Sequence, residues 1–516
     1  MKYNTIRAKN KPFKMPKMFR RISRLTDGAR DVIVKKNAPV KVTMSRYGNT
    51  GESEDRSMEK TNILWIQADE LRVDALGCYG GDNLTPNIDA LAARGAVFRR
   101  HFTTSPVCVP ARVSELTGCY PCRTGVLENS VHYTHGRWPQ DLRAFPEFFL
   151  EQGWATANFG KYHTPSHGSW GENWHMEHLN EVGHFMALHP PYDEQEHEVL
   201  HLGRSERNVI VAGRYPDVAQ VSPTHRVTDH ALEWLSAYQH VRRPFLLRVS
   251  YLAPHTPVLA PEPFYSMYKD KNYTWDRPAQ QTLEDRPDLE KNGREIFGGQ
   301  SYYAAHTEED FQRMRRTYCA LVSHIDDEVG RLVEHLKQTG EYENTVILFT
   351  SDHGDLMGEY GQFQKGVFYD ITANVPCILA GPGVKPGVYD NLTECVDIAP
   401  TLMALCGLQP EQQFQGEDMF ASDKPEVLGE IFLSGRRRSW LRTKQYSLDI
   451  TTAENGEHTA PDRYDGKLID LAADPLYHTN VYGSPAYAEI QQQLTGRLLA
   501  RIAPYPIEVK RGDIPM

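Results

Sequence analysis

Ser105-Pro106-Val107-Cys108-Val109-Pro110-Ala111-Arg112-Val113-Ser114-Glu115-Leu116-Thr117-Gly118 is the stretch on which the reading of the chain turns. Pro106 and Pro110 keep the backbone around Cys108 extended or turned. From Ala111 the residues suit a helix, and Gly118 ends it. Cys108 then stands near a helix N-terminus, where backbone N–H groups and the helix dipole favour an anion. Arg112, one turn on, lies on the same side. A nucleophile, an anion site and a guanidinium converge, an arrangement suited to attack on a sulfuryl or phosphoryl group. A lone Cys-Pro pair reads equally as a buried free cysteine beside a structural arginine, because free cysteine behaves as a small hydrophobe.

The rest of the chain supplies a large frame for such a site. It has 516 residues, 40% hydrophobic and 24% charged, enough to bury an extensive core. The formal net charge of -10 argues against a general nucleic-acid binder. Eight cysteines in this length do not make a disulfide framework. Cys119-x-x-Cys122 lacks a second pair for a zinc site and reads as structural. No run of about 18 apolar residues predicts a transmembrane helix, so no membrane is expected. The basic N-terminus lacks the apolar core of a secretory signal, and a cytoplasmic location is expected. Residues 1–57 read as a disordered extension, with Met58 as the natural start.

Several strands end in chemistry-bearing residues. Asn62-Ile63-Leu64-Trp65-Ile66-Gln67-Ala68 reads as a buried parallel strand and runs into Asp69-Glu70. Thr345-Val346-Ile347-Leu348-Phe349-Thr350 delivers Ser351-Asp352-His353-Gly354-Asp355. Acidic residues beyond a strand's carboxyl end stand where open α/β sheets place ligands, and two such ends suggest a divalent cation. Thr156-Ala157-Asn158-Phe159-Gly160 leads into Lys161-Tyr162-His163, which in isolation suit a surface. Arg243 to Leu252 reads as another strand, and His255 follows in a stiff proline loop, Pro254-His255-Thr256-Pro257.

Together these stretches resemble the type I sulfatases. Cys108-x-Pro110-x-Arg112 with Leu116-Thr117-Gly118 matches the signature of that family. Supporting stretches are Asp74 to Gly80, Thr85 to Asp89, Gly160-Lys161-x-His163, Pro254-His255-x-Pro257, and Gly358 to Gly366. The resemblance implies that Cys108 is oxidised to formylglycine, whose hydrated gem-diol is the nucleophile. It implies a divalent cation, Ca2+ foremost with Mg2+ or Mn2+ open, held by Asp69, residue 108, Asp352 and His353. The family commonly carries Asp-Asp where this chain has Asp69-Glu70. Glu70 is therefore a further ligand, or one layer out on its longer arm. By the same resemblance Lys161, His255 and Lys365 contact sulfate, His163 holds the gem-diol, and His255 or Lys365 is the general acid. The implied partners are a small sulfated substrate (sugar, aryl or alkyl) and a formylglycine-generating maturation enzyme, with an oligomer possible. A phosphonate monoester or phosphodiester hydrolase of the same superfamily is the alternative, because such relatives resemble this chain at Asp352-His353.

The implied fold is an alkaline-phosphatase-like α/β sandwich, with a large mixed, mostly parallel sheet between helices. Residues 58–410 would form the catalytic domain. Residues 411–516 would form a smaller C-terminal α+β subdomain, with an antiparallel sheet and a final helix over 489–502. A long amphipathic helix is predicted from Glu308 to Lys337, ended by Gly340. Residues 164–225 and 260–305 read as loop layers, and eight histidines between His163 and His201 read as polar surface. Arg436-Arg437-Arg438 read as a solvated turn between strands, or as a contact for an anionic substrate.

Overall fold

The computed structural model describes residues 60–129, 141–164, 198, 200–201, 210–239, 243–274, 307–361, 363–433, 435–454, 457–460 and 464–505. The extension expected at 1–57 and most of the histidine-rich stretch lie outside the described residues.

In chain order come β1 (Asn62–Asp69), α1 (Pro86–Arg94), β2 (Ala96–Phe98), α2 (Cys108–Thr117), α3 (Phe145–Glu151) and β3 (Ala155–Gly160). Next are β4 (Ile210–Val218), α4 (Pro223–Tyr238), β5 (Phe245–Pro254), β6 (Val258–Glu262), α5 (Glu308–Thr339) and β7 (Thr345–Ser351). They are followed by β8 (Cys377–Ala380), β9 (Gly387–Tyr389) and α6 (Ile398–Leu405). The boundary expected at 410 falls in the link after α6. Beyond it lie β10 (Glu426–Leu433), β11 (Arg436–Thr443), β12 (Tyr446–Glu454), β13 (Gly466–Asp470) and α7 (Ala488–Ile502).

Seven strands form the main sheet in the order β9-β2-β8-β7-β1-β5-β3. Only β8 runs against its neighbours, so the sheet is mixed and mostly parallel. Alternation along β1 builds a core on each face. Leu64, Ile66 and Ala68 pack with α1, α4 and α5, while Ile63 and Trp65 pack with α2, α3 and α6. This is the alkaline-phosphatase-like layering that the family resemblance implies.

The long helix α5 forms where its caps dictate. Thr307 accepts from the Asp310 N–H at 3.3 Å, and Asp310 accepts from the Thr307 N–H at 2.8 Å. Three acidic residues occupy its first turn, and Gly340 ends it in the left-handed region.

β10 to β13, with the two-residue strand Glu457–His458 beside β12, make a five-stranded antiparallel sheet, covered by Leu494, Leu498 and Ile502 of α7. It is tied to the α2 side of the molecule: Glu430 N–H donates to Thr104 O at 2.9 Å.

Three expectations need correction. Residues 164–225 are not all loop, because β4 and the start of α4 lie there. The helical period of α4 is present as buried Thr224, Thr228, Ala231 and Leu235. Two of those four are threonine, so hydropathy hides the stripe. Likewise the start of 260–305 belongs to β6. Arg436, Arg437 and Arg438 lie inside β11 rather than in a turn. Arg437 is buried against Glu430, and Arg438 is buried against Asp449 at 3.0 Å. Alternating charged pairs replace apolar packing there, which composition alone reads as solvent exposure.

Among the described residues no helix is long and apolar enough to cross a membrane. Cys119 and Cys122 are buried free thiols.

Candidate active site

The carboxyl ends of β1 and β7 lie side by side because the strands pair in parallel, Ala68 beside Ser351. Asp69 and Asp352 therefore leave adjacent strands at the same edge, both with no exposed surface. Helix α2 points its first turn at this edge. Val107 is extended and Cys108 is the first helical residue. Gly118 closes the helix at φ +65°, and a Cβ there would lie 2.6 Å from the Phe414 ring.

Arg112 ties the two strand ends together. Its Nε donates to Asp352 Oδ2 at 2.7 Å and its Nη2 to Asp69 Oδ2 at 2.9 Å. Its Nη1 donates to Ser250 Oγ at 2.9 Å and to Lys161 O at 3.0 Å. Lys161, just past β3, adds its ammonium as an ion pair to Asp69 and as a donor to Cys108 Sγ at 3.7 Å.

The Cys108 sulfur faces His353 Nε2 at 3.2 Å and Asp69 Oδ1 at 3.9 Å. Burial alone would raise the thiol pKa, but Lys161, Lys365 and His353 hold it well below its usual value, and His163 hydrogen-bonds to it. Burial likewise opposes the imidazolium of His353, yet the Asp352 carboxylate pushes its pKa up to about 9.

Asp69, Cys108, Asp352 and His353 offer ligand atoms that all lie within 4.8 Å of one another. His353 Nδ1 lies 3.0 Å from Gly354 O and so carries a proton, which leaves Nε2, facing the Cys108 sulfur and the two carboxylates, as the nitrogen that would take a cation once it gives up its own proton. Arg112 and Lys161 take Asp69 Oδ2, so Oδ1 remains on the cysteine side. This donor set fits a divalent cation.

Glu70 turns away from that set. It forms a second group with Asp69 and His255. Its carboxylate meets Lys365 Nζ at 3.1 Å and His255 Nε2 at 3.4 Å. Burial would raise its pKa, but His255 and Lys365 hold it below the usual value. Glu70 sits at φ 67° and His163 at φ 46°, positions unusual for non-glycine residues. The Glu70 backbone is clamped on both sides: its N–H donates to Asp352 Oδ1 at 3.1 Å, and its carbonyl accepts from Tyr318 O–H at 2.7 Å.

Three contributors carry no signal of their own in the sequence: Ser250, Tyr318 and Asp355. Ser250 and Asp355 lie within stretches that also hold site residues. Tyr318 sits on the apolar stripe of α5, where only the fold reveals its hydroxyl's target. Burial and the Glu70 charge push the Asp355 carboxyl up to about 7.

The chain is similar to known proteins along most of its length. The sulfatase family model matches residues 61–408. The choline-sulfatase of Rhizobium meliloti is 30% identical over 465 residues, covering 87% of this chain and 88% of that protein. Human iduronate 2-sulfatase is 31% identical over 390 residues, covering 67% and 69% of the two chains. Among solved structures, a phosphonate monoester hydrolase from Silicibacter pomeroyi shares the fold with a TM-score of 0.73 at 22% identity, covering 87% of this chain and 96% of that one. A signature match this long, with full-length likeness to a choline-sulfatase, places the chain in the sulfatase family, hydrolases of sulfate esters.

Proposed function

We propose that the protein hydrolyses a small sulfate ester of a sugar, aryl or alkyl alcohol, using a formylglycine made from Cys108 by a maturation enzyme. The observation that carries this reading is the packing of Cys108 against two ammonium groups and two imidazoles, beside paired strand-end carboxylates.

Asp69, Asp352, His353 and residue 108 would hold the cation, Ca2+ foremost and Mg2+ or Mn2+ as alternatives. Bound there, it would favour the deprotonated nucleophile by its charge. The aldehyde hydrate offers one hydroxyl for attack on sulfur and a second through which sulfate can be expelled. Lys161, Lys365 and His255 meet the charge that develops on the sulfuryl oxygens. His255, partly exposed on its stiff loop, or Lys365 gives a proton to the leaving alcohol oxygen. His163, beside residue 108, takes the proton of the second hydroxyl. Arg112 and Asp69 hold their neighbours in place and do not themselves exchange protons. Glu70 keeps Lys365 protonated and holds Lys365 and His255 aimed.

The test uses protein whose Cys108 conversion is confirmed by mass. Rates on an aryl sulfate, a panel of sulfated sugars and a phosphonate monoester are measured side by side. Faster turnover of sulfate esters, lost on chelation and restored by Ca2+, is expected. Faster turnover of the phosphonate monoester would move the chain to the alternative reading.

A further inference from the structure

Where α4 packs against α5, a second group of ligand-type side chains converges. His225 from the first turn of α4 meets His324 and Glu328, which are one turn apart on α5. Their ligand atoms all lie within 4.8 Å of one another. His225 Nδ1 stands 2.6 Å from Glu328 Oε1, and His324 Nε2 stands 3.6 Å from the same oxygen. Glu328 is wholly buried and His324 is 1% exposed.

His324 is the anomaly. Its ring is buried, yet Nδ1 has no hydrogen-bond partner and Nε2 has only Glu328 Oε1, at 3.6 Å. Its face stacks on Phe264, with centroids 4.7 Å apart, so the ring plane is fixed and its Nε2 aims at Glu328. A buried imidazole held this loosely is costly unless something else satisfies it.

The surroundings are built to orient the carboxylate. Arg331 takes the other oxygen, Glu328 Oε2, at 2.6 Å, and also pairs with Asp229 at 2.6 Å. Its Nη1 lies 3.1 Å from His225 Nδ1. Oε1 is thereby left as the oxygen both imidazoles face. Asp229 is in turn 3.5 Å from His225 Nε2. His324 also borders a cavity of about 50 Å³, shared with Ser222, Thr224, His255 and Leu321. That is room for a water or an entering ion, since a water occupies roughly 30 Å³.

We infer that His225, His324 and Glu328 form a second cation site, separate from the strand-end centre, that takes a borderline-soft divalent ion such as Zn2+. Two imidazoles with one carboxylate suit Zn2+ far better than Ca2+, which prefers an all-oxygen shell. Arg331 and Asp229 orient the ligands from behind.

The test counts zinc. Full-chain protein is saturated with Zn2+, dialysed, and analysed by elemental mass spectrometry as wild type and as His324→Phe. Phenylalanine keeps the stacking on Phe264 and removes the ligand. Wild type is expected to retain one more equivalent of Zn2+ than His324→Phe, and Asp352→Asn is expected to keep that equivalent. Equal retention in wild type and His324→Phe overturns the inference, as does loss of the only equivalent in Asp352→Asn. Should His324→Phe not fold, anomalous diffraction at the zinc edge from wild-type crystals decides. A peak among the three side chains is expected, and none there at saturating Zn2+ overturns the site.

Discussion

Arg112 donates from Nε to Asp352 Oδ2 across 2.7 Å, and neither side chain reaches solvent. The same guanidinium holds Asp69, so one cation compensates two buried carboxylates drawn from different strands. Removing one member of a buried ion pair leaves the other uncompensated. Arg112→Ala is therefore expected to lose about 3–5 kcal/mol of stability. The loss should be larger in chelated protein than in Ca2+-loaded protein, because a bound cation would offset part of the charge. Urea unfolding with and without Ca2+ measures both. Arg112→Lys, which keeps the charge without the fork, should recover only part of the loss.

Cys108 is the one nucleophile the site surrounds with positive charge. Cys108→Ala is expected to be inactive. Cys108→Ser can accept the sulfuryl group yet lacks a second hydroxyl for its release, so it should stall after one turnover. Intact-mass analysis should show the converted chain about 18 Da lighter than the thiol form, by the atom change in oxidising the side chain. Equal rates from protein carrying only the thiol would sink the formylglycine reading.

Glu115 lies behind α2, with Gln67 Nε2 donating to both of its oxygens at 2.8 Å. Burial raises its pKa to about 7, against the pull of Arg248. The folded protein thus keeps a proton that the unfolded chain releases at the ordinary carboxyl value. Its contribution to stability falls as pH rises from about 4.3 to about 7 and is level above that. Melting temperatures of wild type relative to Glu115→Gln should decline across that window. A difference independent of pH would show that Glu115 is ionised throughout.

Arg438 pairs with Asp449 through two contacts of 3.0 Å inside the antiparallel sheet. Arg438→Ala is expected to lower stability by about 3 kcal/mol, the lower end for a broken buried pair, because buried Asp449 would keep only Lys467 at 3.9 Å. KM for the sulfate ester should stay within twofold of wild type. A tenfold rise in KM with unchanged melting would instead revive the substrate-contact reading of this triplet.

Much of the site is legible in the sequence because catalytic groups sit next to strong local signals. Asp69 and Asp352 each end a β-branched, aromatic-rich run, and Cys108 starts a helix that glycine closes. Chain direction alone then puts them at one edge. The pairing of Glu70 with Lys365 and His255 is not legible, since it depends on where a side chain turns once the backbone enters the left-handed region. Tyr318 is hidden for a related reason: its ring reads as core, and only the packing of α5 against β1 gives its hydroxyl a target. Helix α4 escapes because threonine occupies half of its buried stripe.

The strand order has a consequence for how the protein is made. β7 lies between β1 and β8, yet β1 ends at Asp69 and β7 begins at Thr345. A ribosome releases most of the chain before β1 gains that neighbour. Until then β1 shows an open backbone edge, the kind of template that other nascent chains can pair with. Arg112 meanwhile has one carboxylate instead of two. Any product truncated before residue 345 lacks Asp352 and the middle of its own sheet, so it exposes a seam running through its centre rather than a frayed end.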